Sequence, residues 1–164
     1  DQALLELKNL GEDFKNESLR VGTGEVIDSL SLDELSLYSK DLIEFFRDYP
    51  KWRLEFKTKS SKVDQFLDIA HAGNVIVSWS INPQEIIAAE EHGTASFDER
   101  LAAARKCRDA GFPISFHIDP MIEHEGWQKN YLKLGSVRKV FIKTVHVHAC
   151  NIRSSVVKRL VSMP

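Results

Sequence analysis

The chain has 164 residues, 43% hydrophobic and 28% charged, with eight Gly, five Pro and a net charge of −2. These proportions exclude collagen-like and wholly disordered chains, and the length suits one ordinary domain or a large piece of a bigger one. No apolar run approaches the roughly 18 residues of a membrane span.

Two cysteines, Cys107 and Cys150, are too few for a disulfide framework and fit a reducing cytoplasm. They are also too few for a metal centre built from three or four thiolates of this chain. The opening Asp1-Gln2-Ala3 has no basic or apolar region of a signal peptide. It has no Met either, so the expectation is a chain that begins inside a longer reading frame.

Charge is unevenly spread. Residues 1–125 hold all 24 Asp and Glu against 14 Lys and Arg, a balance of −10. Residues 126–164 hold eight Lys and Arg and no acid, a balance of +8. That contrast points to a nucleic-acid contact, an interaction tail, or a segment of different origin.

In chain order, Leu4, Leu5, Leu7 and Leu10 predict a short opening helix. Leu19-Arg20-Val21 reads as a strand, followed by a Gly22-Thr23-Gly24-Glu25 turn. Ser31 and Glu34 have capping-box spacing ahead of a helical series Leu35, Tyr38, Leu42, Phe45, Phe46, with Pro50 beyond its end. Arg53 to Lys57 is a second strand, and Val63 to Ala70 a helix stopped by Gly73. Val75 to Ser80 is mostly apolar, as a strand covered on both faces is. Asn82-Pro83-Gln84-Glu85 opens a helix with Pro at its first position and Asn82 as cap. Ser96 to Glu99 opens another that runs to Gly111. Pro113 to Ile118 is a fourth strand, and Trp127 to Leu134 a helix.

Strand and helix thus alternate four times. Parallel strands joined by crossovers of this length build either an open doubly wound sheet or a (β/α) barrel. A whole barrel takes ~250 residues, so four units are about half of one. The expected organisation is one α/β unit over residues 1–132, with both sheet types open, and a basic tail of uncertain fold over 133–164. Val140 to Ala149 is β-rich, but the remaining tail has no clear period. The change in composition also admits an aberrant end, such as a frameshift.

Ligands of parallel α/β folds sit at the carboxyl ends of the strands. Those ends carry Gly22, Gly24 and Glu25; Lys59; Ser80 and Asn82; and His117 and Asp119. Glycines admit close backbone approach. Glu25 suits an ammonium, Lys59 a carboxylate or phosphate, and Ser80 or Asn82 a hydroxyl or amide. Together they describe a zwitterionic ligand with a sugar better than a bare phosphate. Singly each has an ordinary role: a turn, a solvated lysine, a helix cap. Placement at successive strand ends is what favours a site.

Five segments also resemble one family. Arg20-Val-Gly-Thr-Gly-Glu-Val-Ile-Asp-Ser-Leu30, Leu54-Glu-Phe-Lys-Thr-Lys-Ser60, Val77-Ser-Trp-Ser-Ile-Asn-Pro83, Thr94-Ala-Ser-Phe-Asp-Glu-Arg-Leu101 and Phe116-His-Ile-Asp-Pro-Met-Ile122 look like the spore photoproduct lyase family of radical S-adenosylmethionine (SAM) proteins. The likeness runs over about residues 15–132 and is nearest the broad lyase-like branch. It implies a partial (β/α) barrel, SAM, a 4Fe–4S cluster, a 5′-deoxyadenosyl radical and reversal of a thymine-dimer lesion in DNA. It further implies that Gly24 and Glu25 hold the SAM amino group, Lys59 its carboxylate and Ser80 the ribose. By the same resemblance, the Cys-x3-Cys-x2-Cys cluster motif belongs upstream of Asp1, and Gly22 stands where the sporulation enzyme has a hydrogen-donating cysteine. The lesion-contacting segment downstream is missing or replaced. The chain alone is therefore expected to be inactive.

Other features carry smaller expectations. His146, His148 and Cys150 alternate along a strand and could take zinc or copper, though the tail's fold and a fourth ligand are open. His117 and Asp119 share a strand face and could pair or touch substrate. Cys107 reads as a core residue, and Trp127 with Tyr131 as packing. The basic end suits DNA phosphates. Open strand edges invite self-association. The competing function is a non-catalytic α/β module binding a nucleotide or nucleic acid.

Overall fold

The computed structural model describes residues 2–118 and 120–134, and the backbone of 145–147. Its elements are α1 (Gln2–Phe14), β1 (Arg20–Thr23), α2 (Asp33–Ser36), α3 (Tyr38–Arg47), β2 (Arg53–Thr58), β3 (Val75–Ser80), α4 (Gln84–Glu90), α5 (Phe97–Asp109), β4 (Ile114–Ile118), α6 (Trp127–Leu134) and β5 (Val145–Val147). The strands form one sheet in the order β1-β2-β3-β4-β5, every pair parallel. A doubly wound sheet reverses its strand order at a switch point. This sheet never does, so it is an arc of a (β/α) barrel.

Register divides the sheet into two faces. Leu54, Phe56, Val75, Val77, Trp79 and Phe116 line one and are buried with Phe46, Trp52, Phe66 and Phe112 in the core. α3 packs on β2, and α5 on β3 and β4. The other face carries Glu55, Lys57, Ser78, Ser80, Ser115 and His117. β3 is covered on both faces as expected, but its inner face is polar.

Local chemistry accounts for the elements that form as expected. Ser96 caps α5 through a complete capping box: its hydroxyl accepts from the Glu99 N–H, and Glu99 accepts from the Ser96 N–H. Cys107 is buried in α5, and burial pushes its thiol up to about 12. Trp127 and Tyr131 pack edge to face on α6.

Several expectations need correction. Val63 to Ala70 is a series of turns, not a helix. Phe66 N–H donates to the Val63 carbonyl and Ile69 N–H to the Phe66 carbonyl, so successive four-residue turns fold the backbone while Val63 and Phe66 anchor in the core. A segment this short has little helix stability of its own. The Ser31–Glu34 capping box does not form, because α2 begins later and Leu32 occupies the cap position. Glu34 instead pairs with Lys62, and Asp33 reaches forward to accept from Ser39 N–H (2.8 Å) and hydroxyl (2.6 Å).

The single long helix expected from Leu35 to Phe46 is broken at Leu37, whose φ is +53°. Leu35 is consequently exposed rather than core. Gly22 and Thr23 belong to β1, not to the turn after it. Asn82 does not cap α4; Pro83 stands at the cap position, and the buried Asn82 side chain bonds elsewhere. Within the expected tail, β5 continues the sheet beside β4, with His146 opposite His117.

Candidate functional site

The loop after β1 is stitched to the end of β2. Asp28 Oδ1 accepts from Leu30 N–H (2.9 Å) and the Thr58 hydroxyl (2.7 Å), while Oδ2 accepts from Lys59 N–H (2.5 Å). Ser29 N–H donates to the Lys57 carbonyl (3.1 Å), and the Ser29 hydroxyl accepts from Lys57 N–H (3.0 Å). So close a seam leaves no room at Gly24. A Cβ there would lie 2.4 Å from the Lys57 carbonyl oxygen and 2.6 Å from Ser29 Oγ, and φ is +92°. Over Gly22, by contrast, no atom lies within 4 Å of a Cβ.

These two glycines therefore respond oppositely. Gly24→Ala combines a left-handed backbone with a clash against backbone and should cost more than about 2 kcal/mol. Gly22→Ala should be neutral or stabilising by less than about 1 kcal/mol, since an interior strand Gly is itself a weakness. Urea unfolding of the two variants checks this; equal destabilisation would contradict the seam.

The stitched loop forms one wall of a cavity of about 310 Å³ lined by Gly24, Glu25, Asp28, Lys57, Lys59 and Ser80, with Pro120 beside them. Lys59 lies one step beyond the Thr58–Trp79 pair, level with Ser80. Three successive strand ends thus meet in one pocket. Glu25 is largely exposed at its rim, 3.8 Å from Lys57 Nζ. Gly22 lies lower, in register with Glu55.

Beneath the pocket is a buried ionic cluster. Glu55 accepts from Arg20 and the Ser78 hydroxyl, and its Oε1 lies 2.9 Å from His117 Nε2. Burial pushes the Glu55 carboxyl up, but the His117, Ser78 and Arg20 hydrogen bonds outweigh it and hold the group at about 2. His117 is level with Ser80 in the register. Its partner is Glu55; Asp119 lies outside the described residues.

A second network stands beside Lys59. Buried Asn82 donates to Glu91 Oε1 (3.0 Å) and accepts from the Tyr131 hydroxyl (2.8 Å). Glu91 also meets Arg100 (2.7 Å) and Lys59 (3.2 Å). Asn82 is thus structural in its contacts, apart from the pocket wall.

Glu55, Asp28, Glu91 and Arg100 were not singled out from the sequence. Glu55 had a signal: Arg53, Glu55 and Lys57 alternate along a strand of a sheet whose faces are both covered. Glu91 had none, since a Glu-Glu pair at a helix end ordinarily faces water.

Among the described residues no three His, Cys, Asp or Glu side chains gather as a metal-binding group. His148 and Cys150 lie outside those residues, and of His146 only the backbone is described. No helix among the described residues is long and apolar enough to cross a membrane.

Residues 5–152 match the spore photoproduct lyase family. The chain belongs to that family. A spore photoproduct lyase of Geobacillus sp. (strain Y412MC61) is 39% identical over 107 residues, which are 65% of this chain and 31% of that protein. The Bacillus subtilis (strain 168) spore photoproduct lyase is 37% identical over 107 residues, again 65% of this chain and 31% of its own length. The chain therefore spans about a third of these curated relatives.

A spore photoproduct lyase mutant solved with bound AdoMet and dinucleoside spore photoproduct superposes with a TM-score of 0.77 at 30% identity, over 96% of this chain and 48% of its own. A spore photoproduct lyase complexed with dinucleoside spore photoproduct gives 0.75 at 36% identity, over 81% of this chain and 39% of its own. The arc that carries the polar inner face and the strand-end pocket therefore superposes on solved spore photoproduct lyases.

Two groups implied by this family can be tested against the residues. SAM fits: the pocket offers a carboxylate, two ammonium groups, a hydroxyl, and a glycine whose Cβ the cradle has no space for. The iron–sulfur cluster does not fit. Three thiolates are required, the chain has two cysteines, and Cys107 is sealed in the core as a thiol.

Proposed function

We propose that this chain forms the SAM-holding arc of a radical SAM lyase acting on spore photoproduct, a thymine-dimer lesion of DNA, or on a related substrate. The observation that carries the proposal is the convergence of Gly24, Glu25, Lys59 and Ser80 from three strand ends in one cavity. Glu25 takes the ammonium of the amino-acid end, Lys59 its carboxylate, and Ser80 a ribose hydroxyl. The Gly24 turn lets the loop lie against β2 so that these groups face one volume. When bound, SAM supplies hydrogen-abstraction chemistry. The residues here hold and orient it, and the cluster's ligands are not among them. By itself this chain binds without turnover.

Family membership supports the reading, and so does the solved relative that carries AdoMet and dinucleoside spore photoproduct together. A charge-assisted hydrogen bond contributes about 1.5–3 kcal/mol, or roughly ten- to hundredfold in affinity. Calorimetric titration of the chain with SAM should therefore give saturable binding that Glu25→Gln and Lys59→Met each weaken by about tenfold or more. Absence of heat with SAM, together with DNA binding that fades steeply with salt, would instead favour the non-catalytic module.

A further inference from the structure

Lys59 carries a long side chain that water would leave free to rotate, yet its ammonium is held. Glu91, one residue past α4, turns its carboxylate inward, and its side chain is 6% exposed. Its Oε1 sits 3.2 Å from Lys59 Nζ and accepts from Asn82; its Oε2 accepts from Arg100 Nη2 at 2.7 Å. Burial pushes the Glu91 carboxyl up. The hydrogen bonds from Asn82 and Arg100, with the charges of Arg100 and Lys59, outweigh that and hold it below the usual carboxylate range.

The charges within this group do not cancel. Arg100 is fully buried and Glu91 nearly so, and the two neutralise one another. The remaining positive charge is that of Lys59, about a third exposed at the pocket wall. The same guanidinium donates from Nη1 to the Ser80 carbonyl at 2.8 Å. One buried carboxylate–guanidinium pair therefore braces the tip of Lys59 and the end of β3 together.

We propose that Glu91 is a positioning residue of the pocket: it orients the Lys59 ammonium toward the carboxylate of an amino-acid-type ligand, while Arg100 offsets its charge so that Lys59 keeps one for the ligand. The inference rests on the pocket being the SAM site. Its physical basis is preorganisation. A lysine already held loses less rotamer freedom when the ligand arrives. Without the Glu91 charge, the Arg100 and Lys59 cations repel, and Lys59 turns toward water.

The test uses the full 164-residue chain, with SAM and decarboxylated SAM as calorimetric probes and circular dichroism as the check on folding. Glu91→Gln should lose about two- to tenfold in SAM affinity, the range expected for one immobilised side chain. Binding of decarboxylated SAM should not change. In a Lys59→Met background, Glu91→Gln should cause no further loss. Should the Gln variant fail to fold, Glu91→Asp is judged by the same criteria, since it keeps a charge for Arg100 while drawing back from Lys59.

Unchanged SAM affinity, or equal loss for both ligands, overturns the positioning role. A different result sinks the underlying reading: wild-type chain that binds no SAM, or Lys59→Met that treats the two ligands as the wild type does. In that case the Glu91 role falls with it.

Discussion

Arg100→Met should cost about 3–5 kcal/mol of stability, the usual penalty for removing one member of a buried ion pair. Arg100 is completely buried, and its guanidinium is engaged on every side. Nε donates to the Ala95 carbonyl and Nη1 to the Ser80 carbonyl, both at 2.8 Å; Nη2 donates to Glu91 (2.7 Å) and to the Thr94 hydroxyl (2.8 Å). Methionine would fill much of the volume but satisfy none of these acceptors. Glu91 would then be a buried carboxylate left with Asn82 and Lys59.

For a chain of this size, each kcal/mol moves the melting temperature by about 2–4 °C, so thermal unfolding should shift down by roughly 6–20 °C. Arg100→Lys should recover only a minor part. A single ammonium cannot reproduce a planar fork that reaches the strand-end carbonyl of Ser80, the loop carbonyl of Ala95 and a carboxylate together. A loss below about 1 kcal/mol for Arg100→Met would show that the network is not what holds this corner.

The second large effect is on acid stability. Glu55 titrates at about 2 in the folded chain, against an ordinary value of 4.5. A depressed folded value means that the unfolded chain binds the extra proton. The stabilisation from Glu55 is therefore complete above the unfolded value and disappears as pH falls through about 2. At 1.36 kcal/mol per unit, the contribution is about 3 kcal/mol.

Urea unfolding of wild type and Glu55→Gln between pH 7 and pH 2 reads this directly. The wild type should be the more stable at neutral pH, and its advantage should shrink steadily below about pH 5. Curves that run parallel across that window would contradict it. Every other carboxylate is common to both proteins, so the difference between the curves reports Glu55 together with its bonded partner His117.

How much of this was legible beforehand depends on the distance between the residues involved. The start of α5 at Ser96 was readable because Ser96 to Glu99 lie within one helical turn, although the same spacing at Ser31 and Glu34 formed no cap. The polar strand ends were readable because strand termination and ligand chemistry are both local. The turns at 63–70 and the break at Leu37 were not. In each, local helix preference lost to burial elsewhere: Val63 and Phe66 pinned in the core, and Asp33 drawn to Ser39 and Gln65. Asn82 shows the same conflict within one residue. Next to Pro83 it has the pattern of a cap, but Glu91 and Tyr131 offer it partners that only folding brings near.

The sequence by itself determined an alternating α/β chain, the strand-end residues Gly24, Glu25, Lys59 and Ser80, and the family resemblance. All of these are carried by short contiguous segments. Alternation left a barrel arc and a doubly wound sheet both open and the resemblance implied the arc; the tertiary structure shows it, since strand order is a property of pairing between distant segments. It alone gathered the three strand ends into one pocket and set Glu55 against His117 and Glu91 against Lys59. Partners 62 residues apart in one pair, and on separate elements in the other, acquire their charges' meaning only when burial removes the water between them.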